Sequence, residues 1–127
     1  MTRWTRQQQE AIAARNRQVL VSAAAGSGKT AVLIERVMSL LREGVPLDRM
    51  LVMTFTHAAA DEMRQRLTDM LAQAAPGEPT LRRQYALLGR ADISTLHSFC
   101  GKLIRRHFQA AGTDPLSKQA DEAYARE

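Results

Sequence analysis

Apolar residues in this chain fall either in short unbroken runs or at intervals of three and four, and the two patterns alternate. Thr5 to Arg15 is polar except for Ala11, Ile12 and Ala14, which predicts a short helix. Val19, Leu20 and Val21 follow, ended by small residues. That run predicts a buried parallel strand, whose two faces must both be apolar. Leu33, Val37, Leu40 and Leu41 then recur at helical spacing until Gly44 and Pro46 stop them. Met50 to Phe55 predicts a second strand. Met63, Leu67, Met70, Leu71 and Ala74 make one stripe of a further helix, with Asp61, Glu62, Arg64 and Arg66 on its other side. Pro76-Gly77-Glu78-Pro79 breaks it. A short helix around Leu81 to Leu88 and a brief strand from Asp92 to Thr95 come next. The last helix carries Leu96, Phe99, Cys100, Leu103 and Ile104, of which Phe99 and Cys100 are assigned to the core. From Ala111 onward, Gly112, Pro115 and scattered charges predict a loop.

Strands alternating with helices imply βαβ units and an α/β fold with a parallel sheet flanked by helices. Three strands are few for a sheet covered on both faces. The expectation is an incomplete domain over residues 1–110, with 111–127 opening the next segment.

Composition narrows the class without naming a function. Hydrophobic residues make up 45% and charged residues 24%, ordinary for a globular protein and against disorder along the whole chain. The 18 basic residues exceed the 13 acidic ones, giving +5 and a pI near 10.1, which suits a polyanionic partner. Cys100 is the sole cysteine, so an intrachain disulfide and a multi-cysteine zinc site are both excluded. His57, His97 and His107 have no metal-ligand spacing. The polar start lacks a signal-peptide pattern, and no apolar run has the length of a membrane span. A cytoplasmic, reduced setting is expected.

The segment Ala23-Ala24-Ala25-Gly26-Ser27-Gly28-Lys29-Thr30 has the spacing of a Walker A phosphate loop, with Ala23 where the first glycine usually stands. It lies between a predicted strand and a predicted helix, the context the chemistry requires. Gly26 and Gly28 let successive backbone N–H groups turn inward as an anion-binding nest. The following helix aims the positive end of its dipole at the same place. Lys29 would reach the β- and γ-phosphates of ATP, and the Thr30 hydroxyl would ligate Mg²⁺, making these two the candidate catalytic residues.

A phosphate loop alone fits kinases, transporters, GTPases and helicases; three further segments separate them. Upstream stands Trp4-Thr5-Arg6-Gln7-Gln8-Gln9-Glu10-Ala11-Ile12. The Gln8 amide can both donate and accept, and so can pair with the N6/N7 edge of adenine. The second segment is Leu51-Val52-Met53-Thr54-Phe55-Thr56-His57-Ala58-Ala59-Ala60-Asp61-Glu62-Met63-Arg64. On an extended backbone Thr54 and Thr56 face the same way, which suits phosphate oxygens, and Phe55 offers a ring for a base. The third is Ile93-Ser94-Thr95-Leu96-His97-Ser98-Phe99-Cys100, where Thr95, His97 and Ser98 gather donors at a helix start. Glu62 and Met63 are expected to position their helix. Arg82-Arg83 and Arg105-Arg106 are expected to be solvated.

These segments, in this order, resemble the first part of a superfamily 1 helicase of the UvrD/Rep type. Gln8 matches that family's upstream glutamine. The second segment is similar to its TFTNxAAxEM motif and the third to its GTxHSF motif. His57 departs from the usual Asn, and Ser94 from the commoner Gly. Val21-Ser22-Ala23 through Glu35-Arg36 and the stretch from Ile93 to Phe108 resemble the helicase/nuclease branch that processes double-strand breaks in bacteria. The tail from Asp114 to Glu122 does so too. The resemblance implies a RecA-like P-loop fold, specifically the N-terminal part of ATP-binding domain 1A. It also implies ATP and Mg²⁺ as cofactors, and DNA contacts through Thr54, Phe55, Thr56, His57, Thr95, His97 and Ser98. The implied partners, in repair and recombination, are single- and double-stranded DNA and a second helicase/nuclease subunit. In the family an Asp-Glu pair on a later strand supports hydrolysis. Here Asp61-Glu62 lies in a helical pattern and Asp121-Glu122 in the tail, so the chain is expected to be a truncated N-terminus with little turnover of its own. Two alternatives stay open: a fragment that binds nucleotide or single strands without turnover, and another phosphate-loop enzyme such as a small kinase.

Overall fold

A computed structural model describes residues 3–120. Helix α1 (Arg6–Ala13) begins with a reciprocal capping box. The Thr5 hydroxyl accepts from the Gln8 N–H at 3.2 Å, and the Gln8 side chain accepts from the Thr5 N–H at 2.8 Å. Helix α2 (Lys29–Arg42) follows the phosphate loop, and Gly44 reverses the chain after it at a φ of 91°. Strand β1 (Leu51–Thr54) leads into α3 (His57–Ala74). Helix α4 (Pro79–Ala86) starts on the proline that the break supplies. Strand β2 (Asp92–Thr95) runs directly into α5 (Leu96–Arg106), and α6 (Phe108–Ala111) ends at Gly112. Residues 112–120 contain neither helix nor strand.

The two strands are parallel, pairing Leu51 with Asp92, Val52 with Ile93, Met53 with Ser94 and Thr54 with Thr95. Alternation sends Val52 and Ile93 to one face, where the core lies. Helix α2 contributes Ile34, Val37, Met38 and Leu41 to that core, α3 contributes Met63, Leu67 and Leu71, and α4 contributes Leu81. Burying these side chains, each worth roughly 1.5–3 kcal/mol, is the main force holding the helices on the sheet. Gln84 is also buried, and its amide oxygen accepts from the Leu47 N–H at 2.9 Å, satisfying both groups. No helix among the described residues is long and apolar enough to cross a membrane.

Two expectations need correction. Val19–Val21 is not a strand: Leu20 is 94% exposed, and the sheet of the described residues holds only β1 and β2. Apolarity reports the surroundings that suit a segment. A strand also needs a neighbour for its N–H and C=O groups, and none lies beside this run. Likewise α5 buries none of its residues. Cys100 is exposed, Phe99 is half-buried, and Leu103 and Ile104 keep 46% and 43% exposure. The periodicity of α5 does form a helix, but its contacts with β2, β1 and α6 leave its apolar stripe largely uncovered.

Candidate nucleotide site and its flanking strand ends

The phosphate loop is shaped by two backbone positions that only glycine adopts easily. Gly26 and Gly28 have φ of 79° and 83°, in the left-handed region. Gly28 is the N-cap of α2, and no side chain caps that end. The first intrahelical bond runs from the Val32 N–H to the Gly28 carbonyl. The N–H groups of Lys29, Thr30 and Ala31 therefore have no partner within the helix. Three unengaged donors, a helix dipole and an adjacent ammonium make a small anion cradle. Lys29 arches back over the loop, its Nζ donating to the Ala23 carbonyl at 2.6 Å. The Thr30 side chain stands exposed in the first turn, free to meet a cation that accompanies the anion.

Gln8 sits against this loop. Its Nε2 donates to the Ser27 carbonyl at 3.3 Å while its Oε1 accepts from the Thr5 N–H. The two partners fix which way the amide points, since Thr5 N–H can only donate and Ser27 C=O can only accept. Each amide atom keeps one further capacity, a lone pair on Oε1 and a hydrogen on Nε2. Those are the two functions that the N6/N7 edge of adenine complements. A cleft of about 670 Å³ opens here, with Thr5, Gln8, Ala23, Ser27 and Lys29 in its wall.

Helix α1 has no buried residue to hold it in place. Arginines anchor it instead. Arg36, on α2, donates through Nη1 to the carbonyls of Ala11 and Ala14, both at 2.7 Å. Arg15 donates through Nη1 to the Ile12 carbonyl at 2.7 Å and to Ala14 at 3.0 Å. The Arg15 guanidinium is held in turn by the Ser39 hydroxyl and by both carboxylate oxygens of Glu43, at 2.7 and 3.0 Å. That hydrogen bond holds the Glu43 carboxyl below its ordinary value and the Arg15 guanidinium above its own. Sequence reasoning passes over Arg15 and Arg36. A cation just beyond the end of a helix is the available signal for Arg15; for Arg36 only the tertiary contact shows it.

The other two segments meet at the carboxyl ends of the paired strands. Register sets Thr54 beside Thr95, and α3 and α5 begin immediately beyond. Thr56 caps α3, its hydroxyl oxygen accepting from the Ala59 N–H at 3.1 Å. Thr95 caps α5 in the same way through the Ser98 N–H at 3.1 Å. The Thr54 hydroxyl donates to the Thr56 carbonyl at 2.9 Å, so the pair Thr54 and Thr56 does not present two equivalent donors. Thr95 is 3% exposed and donates to the Ser98 Oγ at 2.9 Å. Its hydroxyl is engaged inside the protein. Four groups remain presented at this edge: the hydroxyls of Thr56 and Ser98 and the exposed rings of His57 and His97. Phe55 stands beside them at 98% exposure.

Neighbouring residues are structural. Glu62 pairs with Arg66 at 2.6 Å along α3, and Met63 is in the core. Arg64 donates to the Ile93 carbonyl at 2.9 Å and ties α3 to β2. Arg82, Arg83, Arg105 and Arg106 are exposed. Among the described residues no group of three or more His, Cys, Asp or Glu side chains converges as a metal cage. Asp121 and Glu122 lie outside the described residues.

Residues 4–126 match the family model of the UvrD/REP helicase N-terminal domain. The chain is 50% identical over 123 residues to an ATP-dependent helicase/nuclease subunit of Heliobacterium modesticaldum, covering 94% of this chain and 9% of that protein. The protein of the same name from Pelotomaculum thermopropionicum is 52% identical over 128 residues, covering 96% of this chain and 10% of that protein. The one from Alkaliphilus oremlandii is 50% identical over 120 residues, 91% and 10% of the two chains. The chain thus spans about a tenth of the length of the curated relatives it matches. With a parallel strand pair under helices and a phosphate loop opening α2, the chain belongs to the family of the UvrD/REP helicase N-terminal domain.

Proposed function

We propose that this chain is the ATP-binding N-terminal portion of an ATP-dependent DNA helicase. The activity belongs to double-strand break repair and recombination, in a helicase/nuclease that works together with a second polypeptide. One observation carries the nucleotide half: α2 starts without a cap, between Gly28 and Lys29, with the Gln8 amide bonded to the same loop. ATP's triphosphate takes the N–H groups of residues 29–31 and the Lys29 ammonium, which exchanges the Ala23 carbonyl for phosphate oxygen. The Thr30 hydroxyl would hold Mg²⁺ from the protein side, and the ion would supply positive charge to offset the phosphates. The residues present fit both groups. Adenine lies on the free edge of Gln8.

The DNA half rests on the strand ends. Phe55 supplies a stacking face, and Thr56, Ser98, His57 and His97 supply donors to backbone oxygens. Thr54 and Thr95 set the shape of this edge through their internal hydrogen bonds. Residues 1–110 form the nucleotide- and DNA-facing part of ATP-binding domain 1A, and 111–127 lead out of it.

Titrating the chain with a fluorescent ATP analogue and with a labelled thymidine oligonucleotide tests both halves. Lys29→Ala weakens ATP binding and leaves the strand bound; Phe55→Ala does the reverse, by about tenfold for the loss of one stacked base. ATP binding indifferent to Lys29→Ala contradicts the nucleotide assignment. Strand binding indifferent to Phe55→Ala contradicts the DNA edge.

A further inference from the structure

Helix α1 is eight residues long and buries none of them. A helix that short is not stable alone in water. Apart from the half-buried Ala11 and Ile12 and the buried Ala14 that follows the helix, polar contacts must hold it, and Gln8 with it, against the phosphate loop. Its amino end is fixed by the Thr5–Gln8 capping box and by the 3.3 Å contact from Gln8 to Ser27. Its carboxyl end presents carbonyls that the helix itself cannot satisfy. Three of these terminal carbonyls are collected by two guanidinium groups. Arg36 takes Ala11 and Ala14, and Arg15 takes Ile12 and Ala14.

Both arginines tie α1 to α2, the helix whose first turn forms the anion cradle. Arg36 is part of α2, about two turns beyond Lys29. Arg15 reaches α2 through Ser39 and, just past its last residue, Glu43. Ala11 is three residues from Gln8, roughly 4.5 Å along the helix axis. The nearer of the carbonyls gripped by Arg36 is thus within about one turn of the amide that touches the loop. A planar guanidinium serves two carbonyls at fixed geometry, whereas an ammonium is a point donor on a flexible stem.

We propose that Arg36, supported by Arg15, is a positioning residue of the nucleotide site. It holds α1 at the distance from α2 that keeps Gln8 over the phosphate loop, and so sets the preference for adenine. The proposal rests on the nucleotide assignment above. Guanine presents an oxygen where adenine presents an amino group, so a correctly held Gln8 amide favours ATP over GTP. A base preference is therefore the property Arg36 controls, while the grip on the triphosphate belongs to α2 alone.

The test measures the affinity of the full chain for ATP, GTP and inorganic tripolyphosphate, in wild type, Arg36→Lys, Gln8→Ala, the double variant of these two, and Lys29→Ala. Thermal melts accompany each. Arg36→Lys lowers ATP affinity by about tenfold, in the range lost with one bidentate base contact, and erases the preference over GTP. Its affinity for tripolyphosphate stays within about twofold of wild type, and added to Gln8→Ala it has no further effect on ATP. Equal weakening of ATP and tripolyphosphate overturns the proposal, as does an Arg36→Lys effect that persists in full without Gln8. If Arg36→Lys no longer melts cooperatively, Arg15→Lys loosens the same clasp and must show the same pattern. Tripolyphosphate binding that ignores Lys29→Ala sinks the nucleotide assignment and this inference together. An intact Lys29 dependence with an unaltered base preference in Arg36→Lys sinks this inference alone.

Discussion

Helices α2 and α5 begin in opposite ways. Helix α5 starts on Thr95, whose buried hydroxyl accepts from the Ser98 N–H and donates to the Ser98 side chain. Helix α2 starts on Gly28, in a left-handed conformation, with no side chain serving its first-turn N–H groups. Helices α1 and α3 follow the pattern of α5, capped by Thr5 and Thr56. At these three starts a threonine hydroxyl already serves a first-turn N–H group. The open start of α2 departs from them, and it coincides with the glycines and the lysine of the phosphate loop. A cap there would occupy the donors that an anion needs.

The same contrast separates two regions by how they are held. Around β1 and β2, stability comes from apolar burial, with Met38, Leu41, Leu71 and Leu81 fully excluded from solvent. Around the phosphate loop much of it comes from the hydrogen bonds of Arg36 to the end of α1 and from the Arg15–Glu43 ion pair just beyond, and the loop itself is exposed. Core loss should therefore unfold the first region outright, while changes near the loop should alter binding at little cost in stability.

Five outcomes sharpen this comparison. Leu71→Ala, at a position with no exposure, destabilises by roughly 2–5 kcal/mol, read from denaturant titration. Lys29→Ala lowers tripolyphosphate affinity by roughly a hundredfold, the loss of charge-assisted hydrogen bonds, and leaves the melting temperature unchanged. Thr95→Ala removes the cap of α5 and destabilises by about 1 kcal/mol. The same substitution at Thr56 has a similar effect on stability and, unlike Thr95→Ala, also weakens single-strand binding directly. The smallest effect concerns pH. The folded-state pKa of Glu43 is depressed below its ordinary 4.5 by the hydrogen bond from Arg15. Its contribution is therefore fully present above that value and is lost as pH falls through the folded-state value. Glu43→Gln should therefore lower stability slightly at neutral pH and flatten the acid limb by the same small amount, the two proteins converging below the folded-state pKa.

Much of the region around the sheet is legible in the sequence because local pattern and tertiary role coincide there. The stripe of Met63, Leu67 and Leu71 has helical spacing and faces the core, and Asp92 to Thr95 pairs as a short strand. The shape of the loop before α2 is legible because glycine at left-handed φ and lysine at a helix start are local requirements. Val19–Val21 misleads because apolarity specifies an environment without supplying the neighbouring strand. Cys100 misleads because a helical stripe does not reveal how much of it a neighbour covers. The hidden commitments of Thr54 and Thr95 depend on hydroxyl direction and burial, which spacing does not encode. The grip of Arg36 on Ala11 and Ala14 joins residues distant in the chain through backbone carbonyls, whose positions carry no side-chain signature.

The central claim is that the uncapped first-turn N–H groups of α2 bind a polyphosphate, whereas those of α3 and α5 are served by threonine caps. Amide hydrogen exchange, measured residue by residue with and without inorganic tripolyphosphate, tests it most directly. The account predicts added protection at Gly28, Lys29, Thr30 and Ala31, with none at the first turns of α3 and α5. Protection gained equally at all three helix starts, or gained nowhere in residues 26–31, would contradict it.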